Sequence, residues 1–91
     1  MPLLVIRHKV KDFAIWKAAY DSHAGARAKG GLTNGRVTRS VDDPSELVLI
    51  FDAADLAQAK AFCASDDLKA AMQSAGVSDL PNIYFLNDAK E

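Results

Sequence analysis

The residues with the most distinctive chemistry recur along one predicted helix, residues 12–31. Phe13, Trp16, Tyr20, His23 and Arg27 follow one another at steps of three or four residues, and residues at that spacing share one face of an α-helix. Imidazole titrates near about pH 6.5, so His23 is a candidate acid–base residue. A buried phenol needs a hydrogen-bond partner, which a ligand can supply. The pattern predicts a pocket with aromatic walls, where Trp16 and Tyr20 would contact a substrate.

Three further candidates lie on predicted strands. His8 follows Leu4 and Ile6 on one strand face, where it could be a second proton acceptor or a structural histidine. Arg39 interrupts an apolar strand face and could clamp an anionic ligand, or pair with an acidic neighbour at the rim. Tyr84 on the last strand could face the pocket or solvent. The candidate catalytic residues are His23 and His8, and the candidate substrate-binding residues are Trp16, Tyr20, Arg39 and Tyr84.

The composition argues against several other classes of function. Lys and Arg total 11 against 12 Asp and Glu, with the charges interspersed, so no nucleic-acid partner is expected. No apolar run approaches the roughly 20 residues that span a bilayer, so no membrane partner is expected. Two histidines and one cysteine form no ligand-spaced cluster, and no metal site is predicted. The lone Cys63 indicates a reducing, cytoplasmic location.

The hydrophobic pattern predicts a single domain over residues 1–91 with the element order βαββαβ. Short apolar runs indicate strands, whereas helical periodicity after the N-caps Asp12 and Asp55 indicates helices. The predicted strands are residues 3–10, 36–41, 46–51 and 83–86, and the predicted helices are residues 12–31 and 55–76, the second broken at 65–66. Right-handed crossovers then give an α+β, ferredoxin-like fold, in which an antiparallel sheet of order 4-1-3-2 carries two helices on one face.

The two central strands carry apolar residues on both faces. Residues 3–6 and 47–51 contain no polar side chain. In a two-layer fold, the sheet face opposite the helices would lie in water and should alternate with polar residues. A second copy of the same sheet is the simplest cover, since most soluble oligomers are symmetric. We therefore expect a homodimer that forms sheet to sheet, as an α+β barrel.

Three stretches resemble the dimeric α+β barrel superfamily, which includes the antibiotic biosynthesis monooxygenase-like proteins. They are F-x-x-W-K-A-A-Y-D-S-H on the first helix, R-S-V-D-D-P-S-E-L-V-L-I-F across the hairpin and S-D-D-L-K-A-A-M-Q-S-A-G-V before the last strand. The resemblance is greatest to small bacterial members, and it implies a ligand site between sheet and helices. Members include cofactor-independent oxygenases, haem-degrading enzymes, isomerases and binding proteins, so the reaction stays open.

The resemblance leads us to expect a small-molecule-binding protein without a cofactor. Haem-degrading members carry an iron-binding histidine on the second helix, and residues 56–75 contain none. In one alternative, a cofactor-independent monooxygenase- or isomerase-like enzyme acts on a small aromatic or ketonic compound. His23 or His8 would accept a proton, and Arg39 or Tyr20 would stabilise an enolate or phenolate. In the other alternative, the dimer is a non-catalytic binding or scaffold module.

Overall fold

The structure, a computed structural model, describes residues 2–87 and 89. Strands and short helices follow one another along this part of the chain. In order, they are β1 (Leu3–Lys9), α1 (Phe13–Ser22), α2 (Ala24–Lys29), β2 (Leu32–Arg39), β3 (Glu46–Ala53), α3 (Leu56–Cys63), α4 (Asp66–Ser74) and β4 (Asn82–Leu86). The predicted βαββαβ order is confirmed, with each helical region divided into two helices.

The sheet has the predicted strand order, β2-β3-β1-β4, and every neighbouring pair is antiparallel. In the centre, Leu4 of β1 lies opposite Phe51 of β3, and Ile6 lies opposite Leu49. Alternate residues of a strand point to the same face, so Leu4 and Ile6 share theirs with His8. Leu4 is 0% exposed. We term this buried side the inner face of the sheet and the opposite side the outer face.

The helices cover the inner face, which fixes the position of the core. Trp16 of α1, Ala59 of α3 and Ala75 at the end of α4 belong to one buried cluster with Leu4 and Leu49. Burial of this apolar surface is the main favourable term in the fold. None of the helices in the described residues is long and apolar enough to cross a membrane.

The helices begin where polar side chains cap them. Asp12, Asp55 and Ser65 each accept a hydrogen bond from the backbone N–H three residues later, at 3.1, 3.0 and 3.2 Å respectively. Such bonds satisfy backbone donors that have no partner within the first turn of a helix. The predicted break in the second helical region is confirmed, because α3 ends at Cys63 and Ser65 caps α4.

The first helical region differs from the single helix predicted over residues 12–31. It divides at His23, whose backbone N–H is shared between the carbonyl oxygens of Ala19 and Tyr20, both at 3.2 Å. Sharing of this kind tightens the last turn and ends α1. The apolar spacing continues through His23 into α2, so periodicity could not locate the division.

β2 begins earlier than predicted. The Asn34-Gly35 pair predicts a turn before a strand over residues 36–41, but the strand spans Leu32–Arg39. Asn34 has a left-handed backbone conformation, with φ of 52°, and the pairing with β3 shifts between Thr33 and Arg36. The pair therefore forms a β-bulge within the strand instead of a turn in front of it.

We expect Trp16→Ala to lower the free energy of unfolding by about 3–5 kcal/mol, the usual cost of emptying a buried aromatic site. Trp16 is 3% exposed and lies in the core cluster. Ile15→Ala on the same helix is the matched control, because Ile15 is 60% exposed and surface substitutions change stability by about 0.5 kcal/mol or less. Urea unfolding measures both variants, and equal losses would contradict this account of the core.

Candidate functional site

A cavity lies between the helices and the inner face of the sheet. It offers about 60 Å³ to the centres of water molecules, several times the roughly 10–15 Å³ that one water requires. Its walls are mostly apolar and include Ile6, Leu49, Phe51, Phe62, Leu68 and Met72. His8, Trp16, Tyr20 and His23 line the same cavity, so the structure brings together four of the residues that the sequence singled out.

A continuous stack of planar groups follows the cavity wall. His8 meets Trp16 edge to face, with ring centroids 5.8 Å apart, and Trp16 stacks on Tyr20 at 4.9 Å. The guanidinium carbon of Arg27 then lies 3.6 Å from the centre of the Tyr20 ring, close enough for a cation–π interaction. We term His8, Trp16, Tyr20 and Arg27 the ring column. It runs from a buried imidazole to a half-buried cation.

His8 forms the buried end of the ring column. It is 2% exposed, and its Nδ1 has no hydrogen-bond partner among the described residues, which typically costs about 1–3 kcal/mol. Burial disfavours the charged imidazolium and lowers the pKa of His8. Arg7 acts in the same direction, whereas Asp79 and the histidine's own carbonyl oppose it. His8 is therefore a neutral imidazole at neutral pH and can accept a proton.

Arg27 forms the half-buried end of the column. Its Nη1 donates a hydrogen bond to the backbone carbonyl of Tyr20 at 2.7 Å. No ion pair of Arg27 occurs within residues 2–87 and 89. No carboxylate from that part of the chain lines the cavity either. The cavity thus has a positive charge at one end without an acidic side chain beside it.

His23 lies at the junction of α1 and α2 and is half-buried. Its ring centroid is 6.0 Å from that of Phe62 on α3, so the side chain bridges the two helical regions along the border of the cavity. This position allows two roles. The imidazole could exchange a proton with a bound molecule, or it could close the cavity by packing on Phe62.

Arg39 and Tyr84 lie away from the cavity. The Nε of Arg39 donates to the carbonyl of Pro44 at 3.1 Å, and its guanidinium carbon is 4.2 Å from the centre of the Phe13 ring. Its contacts are thus a backbone carbonyl and an aromatic ring, whereas the sequence left open either an anionic ligand or an acidic neighbour. Tyr84 pairs with Val5 on the outer face and is 50% exposed. The helices cover the other side of the sheet, so this phenol cannot contact the cavity from there.

Other cavity residues carried little functional signal in the sequence. Arg27 belongs to the predicted helical stripe, but an arginine near a helix end is usually solvated. Phe51 and Phe62 resemble ordinary core residues, and Phe51 lies 6.4 Å from Tyr20 between ring centroids. Alternation along β3 predicts that Phe51 points inward. It does not predict that Phe51 lines a cavity.

Cys63 and the possible metal ligands of the described residues are the other groups that could carry chemistry. Burial raises the pKa of the Cys63 thiol to about 11, so the thiol is protonated at neutral pH and is a weak nucleophile. Within the described residues, no group of three or more His, Cys, Asp or Glu side chains is placed to hold a metal ion.

The chain resembles known proteins in its three-dimensional structure. No protein-family model matches the chain, and no curated sequence is significantly similar to it. A Bordetella bronchiseptica protein assigned as an antibiotic biosynthesis monooxygenase has a TM-score of 0.81 at 14% identity, covering 98% of this chain and 97% of that one. SnoaB, a cofactor-independent oxygenase from Streptomyces nogalater, has a TM-score of 0.71 at 15% identity, covering 97% and 94%. These likenesses confirm that the chain shares the fold of antibiotic biosynthesis monooxygenase-like proteins.

The lowered pKa of His8 predicts that stability depends on pH. Below about pH 6.5 the unfolded chain takes up a proton at His8, whereas the folded chain does so only at lower pH. The contribution of His8 to the free energy of unfolding is therefore fully present above that pH. It falls as the pH drops towards the folded pKa, by at most about 1.4 kcal/mol per pH unit. Urea unfolding between about pH 7.5 and 5.5 spans the start of this range.

His8→Gln should flatten the dependence of the free energy of unfolding on pH. His23→Gln alters the other histidine, so it is the control and should retain that dependence. The acids Asp43 and Asp79 also have lowered pKa values, but their stabilisation is lost only below about pH 4. They therefore contribute little in the range measured. A slope that persists unchanged in His8→Gln would show that another group causes it.

Proposed function

We propose that this protein binds a small aromatic or ketonic compound in the cavity and acts on it as a cofactor-independent oxygenase or isomerase. The observation that supports this most directly is an apolar cavity lined by His8, a buried imidazole that burial keeps neutral. Apolar pockets with a few convergent polar groups are the usual form of small-molecule sites. The fold shared with SnoaB is compatible with this class of function.

The size of the cavity limits the ligand to about one ring. An enclosed cavity of roughly 150 Å³ accepts benzene, and the space here is about 60 Å³. A ring therefore fits only if part of the ligand extends into the open end beside Arg27 and His23, or if side chains give way. Met72 on the cavity wall is flexible enough to adapt. The rings of Trp16 and Tyr20 offer stacking surfaces.

Proton transfer to His8 is the step that suits this site best. A C–H bond beside a ketone, or a phenolic O–H bond, would lose its proton to the imidazole and leave an enolate or phenolate. In an isomerase, the same proton returns to a different atom of the ligand. In an oxygenase, molecular oxygen enters as the second substrate and oxidises the anion. The Tyr20 hydroxyl and the Arg27 guanidinium are the groups available to stabilise negative charge.

A purely binding role is the alternative, and one feature of His8 favours it. Catalytic histidines are usually oriented by a second polar group that bonds to one ring nitrogen. Nδ1 of His8 has no such partner among the described residues. Turnover assays with compounds that bind the cavity separate the two roles, because a binding module would release every compound unchanged.

We also propose that the functional unit is a homodimer formed through the outer face of the sheet. Val5 pairs with Ile50 on one side and with Tyr84 on the other, which makes an apolar patch across three strands. Tyr84 and the neighbouring Leu86 are 50% and 44% exposed in the single chain. Joining two such faces would bury roughly 1,200–2,000 Å² of surface, the usual extent of a stable interface.

The cytoplasm is the location we propose, and the cysteine content supports it. Cys63 is the single cysteine of the chain, so it cannot form an internal disulfide. Cys63 is a free, half-buried thiol. A reducing compartment preserves such a thiol, whereas secreted domains of this size often depend on disulfides.

Ligand binding should be visible in the fluorescence of Trp16, the single tryptophan, because it lies within the ring column. Titration with single-ring aromatic and quinone compounds should shift or quench this emission. His23→Ala should weaken binding by about tenfold, equivalent to 1.4 kcal/mol. Thermal stability should change little, because a half-buried polar side chain contributes little to the core. Unchanged emission throughout such a screen would count against the cavity as a ligand site.

Light scattering on a size-exclusion column should give twice the monomer mass of 9.8 kDa. Ile50→Lys should produce a folded monomer, because it places a charge in the centre of the apolar patch. Val41→Lys is the matched control, since Val41 is 98% exposed and lies outside the sheet. A wild-type monomer at micromolar concentration would refute the dimer.

A further inference from the structure

The charges around the cavity restrict what its ligand can be. Arg27 is half-buried, and no carboxylate of residues 2–87 or 89 lines the cavity beside it. Apolar surroundings screen charge less than water does, so a cation attracts an anion more strongly here than at an open surface. In electrostatic terms, the cavity therefore favours a ligand with a negative charge.

Arg27 is held in position by the protein itself. One terminal nitrogen donates to the Tyr20 carbonyl at 2.7 Å, and the guanidinium carbon lies 3.6 Å from the centre of the Tyr20 ring. An arginine has five N–H donors, so most of them remain for another acceptor. A fixed planar guanidinium loses little conformational freedom on binding and can hold a carboxylate through two parallel hydrogen bonds.

We propose that the ligand is a single-ring aromatic acid whose carboxylate pairs with Arg27 while its ring lies against Trp16 and Phe51. This inference rests on the proposed function and deepens it by naming the class of ligand. The ring matches the apolar walls of the cavity. The carboxylate lies at the half-buried end, where it need not lose all of its water, and so the desolvation cost of the ion pair stays moderate.

Arg27 also has a simpler structural role, and the two roles differ in what they predict. It lies in the last turn of α2, where a cation offsets the partial negative charge of the helix end. That role alone would produce no preference between charged and neutral ligands of the same shape. A preference that disappears when Arg27 loses its charge is therefore specific to ligand binding.

Benzoate and benzamide are suitable probes, because they share a ring and differ in the charge of the head group. Calorimetry and Trp16 fluorescence at low salt should show benzoate binding at least about tenfold more tightly than benzamide. Arg27→Gln should remove this difference by weakening benzoate alone. Arg27→Lys keeps the positive charge but loses the planar guanidinium, so it should retain part of the difference between benzoate and benzamide. Added salt should weaken benzoate and leave benzamide unaffected.

Lys29→Gln is the control, because Lys29 is exposed, lies in the same last turn of α2 and does not line the cavity; it should leave both affinities unchanged. Circular dichroism tests whether each variant folds. If Arg27→Gln does not fold, the affinities of Arg27→Lys and the salt dependence of benzoate binding test the acid assignment instead. Equal binding of the two probes to the wild-type protein, or an unchanged preference in folded Arg27→Gln, would overturn the acid assignment and leave the proposed function standing. If neither probe binds, this inference fails, whereas the proposed function is decided by the wider screen of single-ring aromatic and quinone compounds.

Discussion

The contact between Trp16 and the inner face of β1 is the interaction on which the candidate site depends. Strand alternation places His8 in the same row as Leu4 and Ile6, and the Trp16 ring lies 5.8 Å from the imidazole in that row. Burial in this core removes water from His8 and lowers its pKa. One packing arrangement therefore sets both the position and the protonation state of the histidine.

The strand order and the core face could be predicted because both follow from local, repeating patterns. Residues 3–6 and 47–51 are apolar throughout, which predicted that β1 and β3 lie in the centre of the sheet. Asp12 and Ser65 predicted the starts of helices, because their side chains can accept hydrogen bonds from the first backbone N–H groups. The bulge at Asn34 and the division at His23 were not predictable in the same way. An Asn-Gly pair is compatible with a turn or with a bulge, and only the pairing partner decides between them.

The candidate site was predictable where local periodicity groups its residues, as it does for His8 with Leu4 and Ile6 on β1. Trp16, Tyr20 and His23 come together through helix spacing alone, so the sequence sufficed to group them. The positions of Arg39 and Tyr84 depend instead on long-range register. Tyr84 lies between Ile83 and Phe85 in a strand of five residues, where both faces carry apolar or aromatic side chains, so the sequence did not determine which face is buried.

His8 and Arg27 occupy opposite ends of the ring column, and this arrangement would link the charge of the proposed ligand to proton uptake. An anion bound at Arg27 would favour the imidazolium form of His8 and oppose the desolvation that lowers its pKa. By thermodynamic linkage, proton uptake at His8 would strengthen binding of that anion to the same degree. Burial alone keeps the imidazole neutral and able to accept a proton. Beside a bound anion, weak screening would strengthen the attraction between imidazolium and anion, so the same apolar walls would favour both the start and the end of the proposed proton transfer.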